Sequence, residues 1–420
     1  MGARRTLGGA AALLLEGEEC TGADGRVQHG ASHRTACAVV QCGPFASMES
    51  LGHILVDRDL RALLGGAIAP SDPRRPVEAG QLSPASLDLR LARRGWRMRA
   101  GFLPGREPLQ LALERLALAQ IDLEGGAVLE PGVPYLVELE ERLALPPDLR
   151  GRFNPRSSTG RCDIFTRVLC DGHPRFDETP AGHHGPLWIE IAPLSFPVRL
   201  ARGDRLAQLR LARGEPALDA DELRALYTRT PLLWKRSGDE ARPVPIDEAR
   251  IAPDGTLEVR VGLAGRAPAG WRSARRGGVV EFAGVHVHDP REWFDEVRAH
   301  AGRCILEPGC FHIFASRERL VVPPEVAAEM LPIDVGIGEL RNNYAGFFDN
   351  GFGWSEGGDG TPAVLEVRAH DVPFLVEDGQ PFCRLRYFRA HGRPDKLYGE
   401  GRRSYQHQDL TLARCFRPAT

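Results

Sequence analysis

A repeat at nearly constant spacing constrains this chain more than any other feature. Leu129-Glu130-Pro131-Gly132 returns as Leu306-Glu307-Pro308-Gly309, and Arg142-Leu143 with Pro146-Pro147 returns as Arg319-Leu320 with Pro323-Pro324, all at an offset of 177. Further on the offset is 176: Glu190 matches Glu366, Pro197 matches Pro373, Gly203 matches Gly379, and Leu209-Arg210 matches Leu385-Arg386. A register held over roughly 80 residues points to two copies of one unit. Two copies are too few for a solenoid. Short apolar runs separated by Gly and Pro make the unit all-β with a few short helices, and two packed barrels or sandwiches are expected.

The rest of the chain is read around that repeat. Ser86-Leu87-Asp88-Leu89-Arg90-Leu91 alternates as a half-buried strand does. Leu109 to Leu118 has the composition of a short helix, and Asp57 is placed to cap another before Leu60, Leu63 and Leu64. The expected units are 48–230 and 276–420, joined by a Pro- and Arg-rich linker at 231–275. Residues 1–47 differ: a short apolar run, Leu7 to Leu15, precedes a small, polar stretch, so an extension upstream of a natural start at Met48 is expected.

Composition excludes several classes of function. A net charge of −2 argues against a generic nucleic-acid binder. No apolar run approaches the ~20 residues of a membrane span. The nine cysteines form no Cys-x-x-Cys pair and read as reduced thiols of a cytoplasmic protein without a zinc framework.

The stretch Asn154 to Arg161 carries the chemistry. Two arginines and three adjacent hydroxyls fall within Arg156 to Arg161, bracketed by Pro155 and Gly160, which disfavour regular structure. Guanidinium forks and hydroxyls suit an anion. The plainer alternative is a surface turn whose serines bond their own backbone.

Several stretches together resemble the dCTP deaminases, relatives of the trimeric dUTP diphosphatases. Arg156-Ser157-Ser158-Thr159-Gly160-Arg161 is similar to their Arg-Ser-Ser-x-x-Arg motif, and Pro84 to Leu91 to their early strand. Tyr344 to Gly353 resembles their base-binding hairpin, Leu365-Glu366-Val367 their glutamate strand, and Ser404-Tyr405-Gln406-His407-Gln408 their closing tail. The resemblance runs from Met48 to the C-terminus and is nearest to the double-length form, with two units in one chain. It implies tandem dUTPase-like distorted jelly-roll barrels and a homo-oligomer, a homotrimer being favoured. It also implies dCTP as substrate, dUTP and ammonia as products, and magnesium carried by the triphosphate.

Deamination at C4 needs a group that takes a proton from water and returns one to the departing amine. A carboxylate whose pKa burial raises can do both. Zinc deaminases use His-x-Glu with Pro-Cys-x-x-Cys, and neither motif occurs here, so a zinc-free glutamate mechanism is expected. Glu366 and Glu190 both qualify, each between apolar strand neighbours. The first half keeps the arginine-serine loop but not the hairpin. The second keeps the hairpin, but Pro332 to Gly338 stands where the loop should be. One composite site is therefore expected, with Glu366 as base and then acid and Glu190 as the alternative base.

The resemblance implies the remaining roles. Ser157 and Arg161 position water and glutamate, while Arg156 and Ser158 bind phosphate. Ala345 and Gly346 meet the base edge, and Asp349 takes the 3'-hydroxyl. Tyr405 and Gln408 close over the triphosphate, with Lys396, Arg402 or Arg403 compensating for Ser404, where the family often has Lys. His286-Val287-His288-Asp289 is not read as a metal site, for want of a third ligand. The rival readings are a dUTP diphosphatase, a bifunctional deaminase–diphosphatase, and a non-catalytic nucleotide-binding β protein.

Overall fold

A computed structural model describes residues 52–105, 107–238, 240–274, 276–332, 340–341, 346–356, 358–369, 371–400, 405–406 and 409–418. Among the described residues, strands hold 45% and helices 11%, so the fold is mostly β. The two halves share one pairing scheme. In the first, Tyr135–Ala144 lies between Ser86–Met98 and His184–Pro193, and Arg205–Arg213 pairs with Ser86–Met98 and Leu149–Pro155. In the second, Phe311–Leu320 lies between Thr256–Gly262 and Thr361–Ala369, and Pro381–Arg389 pairs with Thr256–Gly262 and Val326–Leu331. The register repeats as well: Glu190 faces Leu136, and Glu366 faces Ile313.

The segment 231–275 is not a linker. It carries the strands Leu233–Ser237, Glu240–Pro243, Thr256–Gly262 and Gly270–Ser273, all in the sheet of the second half. The reason lies in the side chains. Thr256-Leu257-Glu258-Val259-Arg260-Val261 copies Ser86 to Leu91 at an offset of 170, shorter than 177 because the loops that follow differ in length. Both copies form the same ion pair on a buried glutamate: Arg90 with Glu141 at 2.8 Å, and the partly exposed Arg260 with Glu318 at 2.8 Å. In each, the glutamate also accepts the arginine's own backbone N–H.

One smaller expectation also changes. The first helix, Asp57–Leu63, takes Asp57 inside it, and Asp59 accepts the N–H of Val56 at its start. Val285 to His288 belongs to no strand, because His286 is left-handed (φ 56°). His288 instead accepts the N–H of Glu281 at 2.9 Å and packs on Trp293.

The halves are joined through a common core. Leu87, Phe153, Ile164, Phe196 and Val198 of the first half cluster with Trp271, Phe294, Ile313 and Val364 of the second, and with Leu412 and Phe416 of the tail. Val280–Glu281 adds in parallel to the edge of Val198–Leu200, and Phe294 packs edge-on against Phe196 at 5.5 Å. Burial of each such aromatic contributes ~1.5–3 kcal/mol. A second cluster, led by Leu257, Phe314, Leu365 and Tyr387, fills the second half and takes in Leu223, Leu226 and Tyr227 of helix Ala220–Arg229, which packs there and not in the first unit.

Candidate active site

Strand Leu149–Pro155 delivers the chain to Arg156, whose backbone is extended (φ −72°, ψ 150°). Ser157–Arg161 then makes a single helical turn where a loop was expected. Pro155 precedes the turn and Gly160 falls near its end, so neither blocks so short a helix. The turn is pinned to the neighbouring strand, because Leu206 O accepts both the N–H of Arg156 and the Thr159 hydroxyl at 2.8 Å. Ser158, Thr159 and Arg161 are thereby buried, while Ser157 stays exposed.

Strand Thr361–Ala369 supplies the carboxylate. Its alternation sends Leu365 and Val367 into the second half's own core and Val364 towards the first half. Glu366 shares the face of Val364 and is 4% exposed. Arg161 Nε lies 3.7 Å from Glu366 Oε1. Burial pushes the Glu366 carboxyl up to about 8, and the Arg161 charge offsets part of that rise. Glu366 is thus held near neutrality, where a proton carrier works best.

The tail closes this pair from above. Arg161 Cζ sits 3.8 Å from the Tyr405 ring centroid, and the Tyr405 hydroxyl is 2.8 Å from Ser158 Oγ. Gln406 brackets the hairpin turn, accepting the N–H of Gly353 at 2.9 Å and donating to Gly351 O at 3.0 Å. Sequence reasoning places Gln406 in the closing tail but gives it no role. Gln408 and Ala345 lie outside the described residues, as do Arg402 and Arg403.

Two connected spaces result. A narrow cavity of about 40 Å³ is lined by Arg161, Gly346, Phe347, Val364, Glu366 and Tyr405, among others. It shares Arg156, Ser157, Phe347, Tyr398 and Tyr405 with a wide cleft of about 910 Å³. Ser158, Asp349, Asp88 and Lys396 line the cleft. Gly346 O already accepts the Met330 N–H at 3.0 Å. Asp349 is buried, held by Arg210 and by the Ser86 hydroxyl, each at 2.9 Å. Asp88, on strand Ser86–Met98, also faces the cleft. Its carboxylate lies 3.3 Å from Arg156 Nε and accepts from Gln208 at 3.1 Å.

Among the described residues, no group of three or more His, Cys, Asp or Glu is gathered as a metal cage. Of the carboxylates that line the cleft, Asp88 and Asp349 are already engaged by arginines.

Glu190 stands elsewhere. It lies on strand His184–Pro193 and lines neither space. The face equivalent to that of Glu366 is covered in the first half by its own insert. Helix Leu109–Leu116 and Phe102 pack on Leu136, Leu169 and Trp188. The insert also reaches the carboxylate: a Cβ at Gly101 would come within 2.5 Å of Glu190 Oε2. Burial raises the Glu190 pKa too, with the Arg167 charge offsetting part of the rise.

Comparison with known proteins decides the family. The family profile for the 2'-deoxycytidine 5'-triphosphate deaminase N-terminal domain matches residues 52–215, and that for the C-terminal domain matches 220–416. The chain belongs to the dCTP deaminase family. A crystal structure of 2'-deoxycytidine 5'-triphosphate deaminase from Agrobacterium tumefaciens is 39% identical, with a TM-score of 0.73, and the match covers 82% of this chain and 99% of that one. Both halves therefore match within one solved dCTP deaminase. Single-unit relatives align over less of the chain. A dCTP deaminase of Natronomonas pharaonis is 33% identical over 37% of this chain and 78% of its own length. A "dCTP deaminase, dUMP-forming" of Acidothermus cellulolyticus is 29% identical over 38% of this chain and 80% of its own.

Proposed function

We propose that the chain converts dCTP and water to dUTP and ammonia, with Glu366 carrying the proton. The observation that supports this most is the buried Glu366–Arg161 pair, built from both halves at the inner end of a cleft lined by Arg156 and Ser158. With the cytosine ring in the narrow cavity, Glu366 takes a proton from water as the water oxygen bonds C4. It gives that proton to N3 as the C4–N3 double bond opens, then takes the remaining proton from the new C4 hydroxyl and passes it to the amine, so that ammonia leaves as the C4 carbonyl forms. Arg161 and Ser157 hold the water and the carboxylate in place. Arg156 and Ser158 meet the phosphates, Asp349 the sugar, and Tyr405 folds over them. Magnesium bound on the triphosphate would screen its charge, and no step needs zinc.

A second reading adds phosphate chemistry. Asp88 is a buried carboxylate beside Arg156 in the cleft, and several relatives are named as dUMP-forming. A bifunctional deaminase–diphosphatase would release pyrophosphate as well as ammonia. We also propose a homo-oligomer, a trimer being favoured, working in the cytoplasm. Among the described residues, no helix is long and apolar enough to cross a membrane.

The test is product analysis on dCTP with magnesium. Stoichiometric ammonia without pyrophosphate is expected. Equal pyrophosphate would establish the second reading. Activity abolished by a zinc-selective chelator and restored by zinc would contradict the proposed chemistry.

A further inference from the structure

We propose that Asp163 and Arg368 are positioning residues that lock the two halves in the register that sets Arg161 against Glu366. Each lies two residues beyond a member of the reacting pair: Asp163 after Arg161, Arg368 after Glu366. On a strand, residues two apart share a face, so Arg368 and Glu366 both address the first half. Asp163 is wholly buried and left-handed (φ 55°), ending the turn that carries Arg161. Its carboxylate receives the Arg368 guanidinium at two nitrogens, with Nε at 3.2 Å and Nη2 closer still. Ser195 completes the fork, donating to Asp163 at 2.6 Å and accepting from Arg368 at 3.0 Å. Arg368 also donates to Gly309 O at 2.6 Å.

Neither residue lines the narrow cavity or the wide cleft, so neither touches substrate there. A buried charge pair is a poor source of stability, but a bidentate fork fixes geometry. The repeat supports this reading. At the offset of 176 that matches Glu366 to Glu190, Arg368 falls on Ala192, so the arginine accompanies the glutamate that has a turn to meet and not the one that is capped. Misplacing reacting groups by ~1 Å costs on the order of 10²-fold.

The proposal rests on Glu366 as the proton carrier, and its test separates the two ideas. In the full chain, Arg368→Met, Asp163→Asn and Arg368→Lys are compared for kcat and KM with dCTP. The titration of Glu366 is followed through its carboxyl infrared band, identified by its loss in Glu366→Gln. For Arg368→Met, kcat falls about 10- to 100-fold with KM within about threefold, and the Glu366 midpoint moves up as Arg161 withdraws. Arg368→Lys recovers part of both, and nearly isosteric Asp163→Asn provides a second loosened fork should Arg368→Met not fold. A lower melting temperature with unchanged kcat and midpoint would assign the pair to stability alone and overturn the proposal. If the unaltered chain released no ammonia, the deaminase reading would fall, and the titration would still decide the clamp.

Discussion

Glu366 owes its behaviour to apolar neighbours on one strand and a single arginine from the other half. Its carboxyl sits at about 8, so the base form grows as pH rises through that value. The expected kcat/KM for deamination therefore climbs about tenfold per unit below pH ~8 and levels above it. A flat profile from pH 6 to 9 would show that another group carries the proton. Arg161→Ala should cost on the order of 10²-fold in turnover. Combining it with Glu366→Gln should add little, because residues acting as a unit are strongly non-additive. Tyr405→Phe removes the contact to Ser158 but keeps the ring over Arg161. KM for dCTP is expected to rise about 2- to 10-fold, the worth of one hydrogen bond, with kcat nearly intact. A large fall in kcat with unchanged KM would place Tyr405 in the chemistry.

At the scale of elements, alternation was the legible signal. Ser86 to Leu91 reads as a strand and lies within one, Ser86–Met98. The same alternation at Thr256 to Val261 is masked by the Pro and Arg around it, whose composition is that of a linker. The Arg156 to Arg161 stretch was legible as chemistry but not as a helical turn, since its pinning to Leu206 is a tertiary contact. Helix Leu109–Leu116 could be read from composition, yet nothing local says that it and Phe102 cap Glu190. The packing around Gly101 tests that cap. Gly101→Ala would drive a methyl into the Glu190 carboxylate, and a loss of about 1–3 kcal/mol in stability is expected with deamination retained. An unchanged melting temperature would mean that the insert is looser than the structure has it.

Across the whole molecule, the repeat made a two-unit β chain legible, and divergence between its copies pointed to one site shared by both. The numbers that matter there, 3.7 Å between Arg161 and Glu366 and the closure by Tyr405, depend on how the halves pack and are not written in any local stretch. The same repeat shows an unequal surface. Phe196 is covered by Phe294 of the second half, while its equivalent at offset 176, Val372, is 51% exposed beside Leu375 and Ile305 at 49% and 63%. If copies of the chain assemble as proposed, Ile305→Glu with Leu375→Glu should lower the oligomeric state seen by analytical ultracentrifugation. An unaltered assembly would place the interface elsewhere. The composite site is tested most directly by ammonia release from dCTP in two matched variants. Glu366→Gln should lose about 10²- to 10⁴-fold in turnover while still binding substrate, and Glu190→Gln should stay within a few-fold of the unaltered chain. The reverse pattern would contradict the account and make the first half the enzyme, with the second as its scaffold.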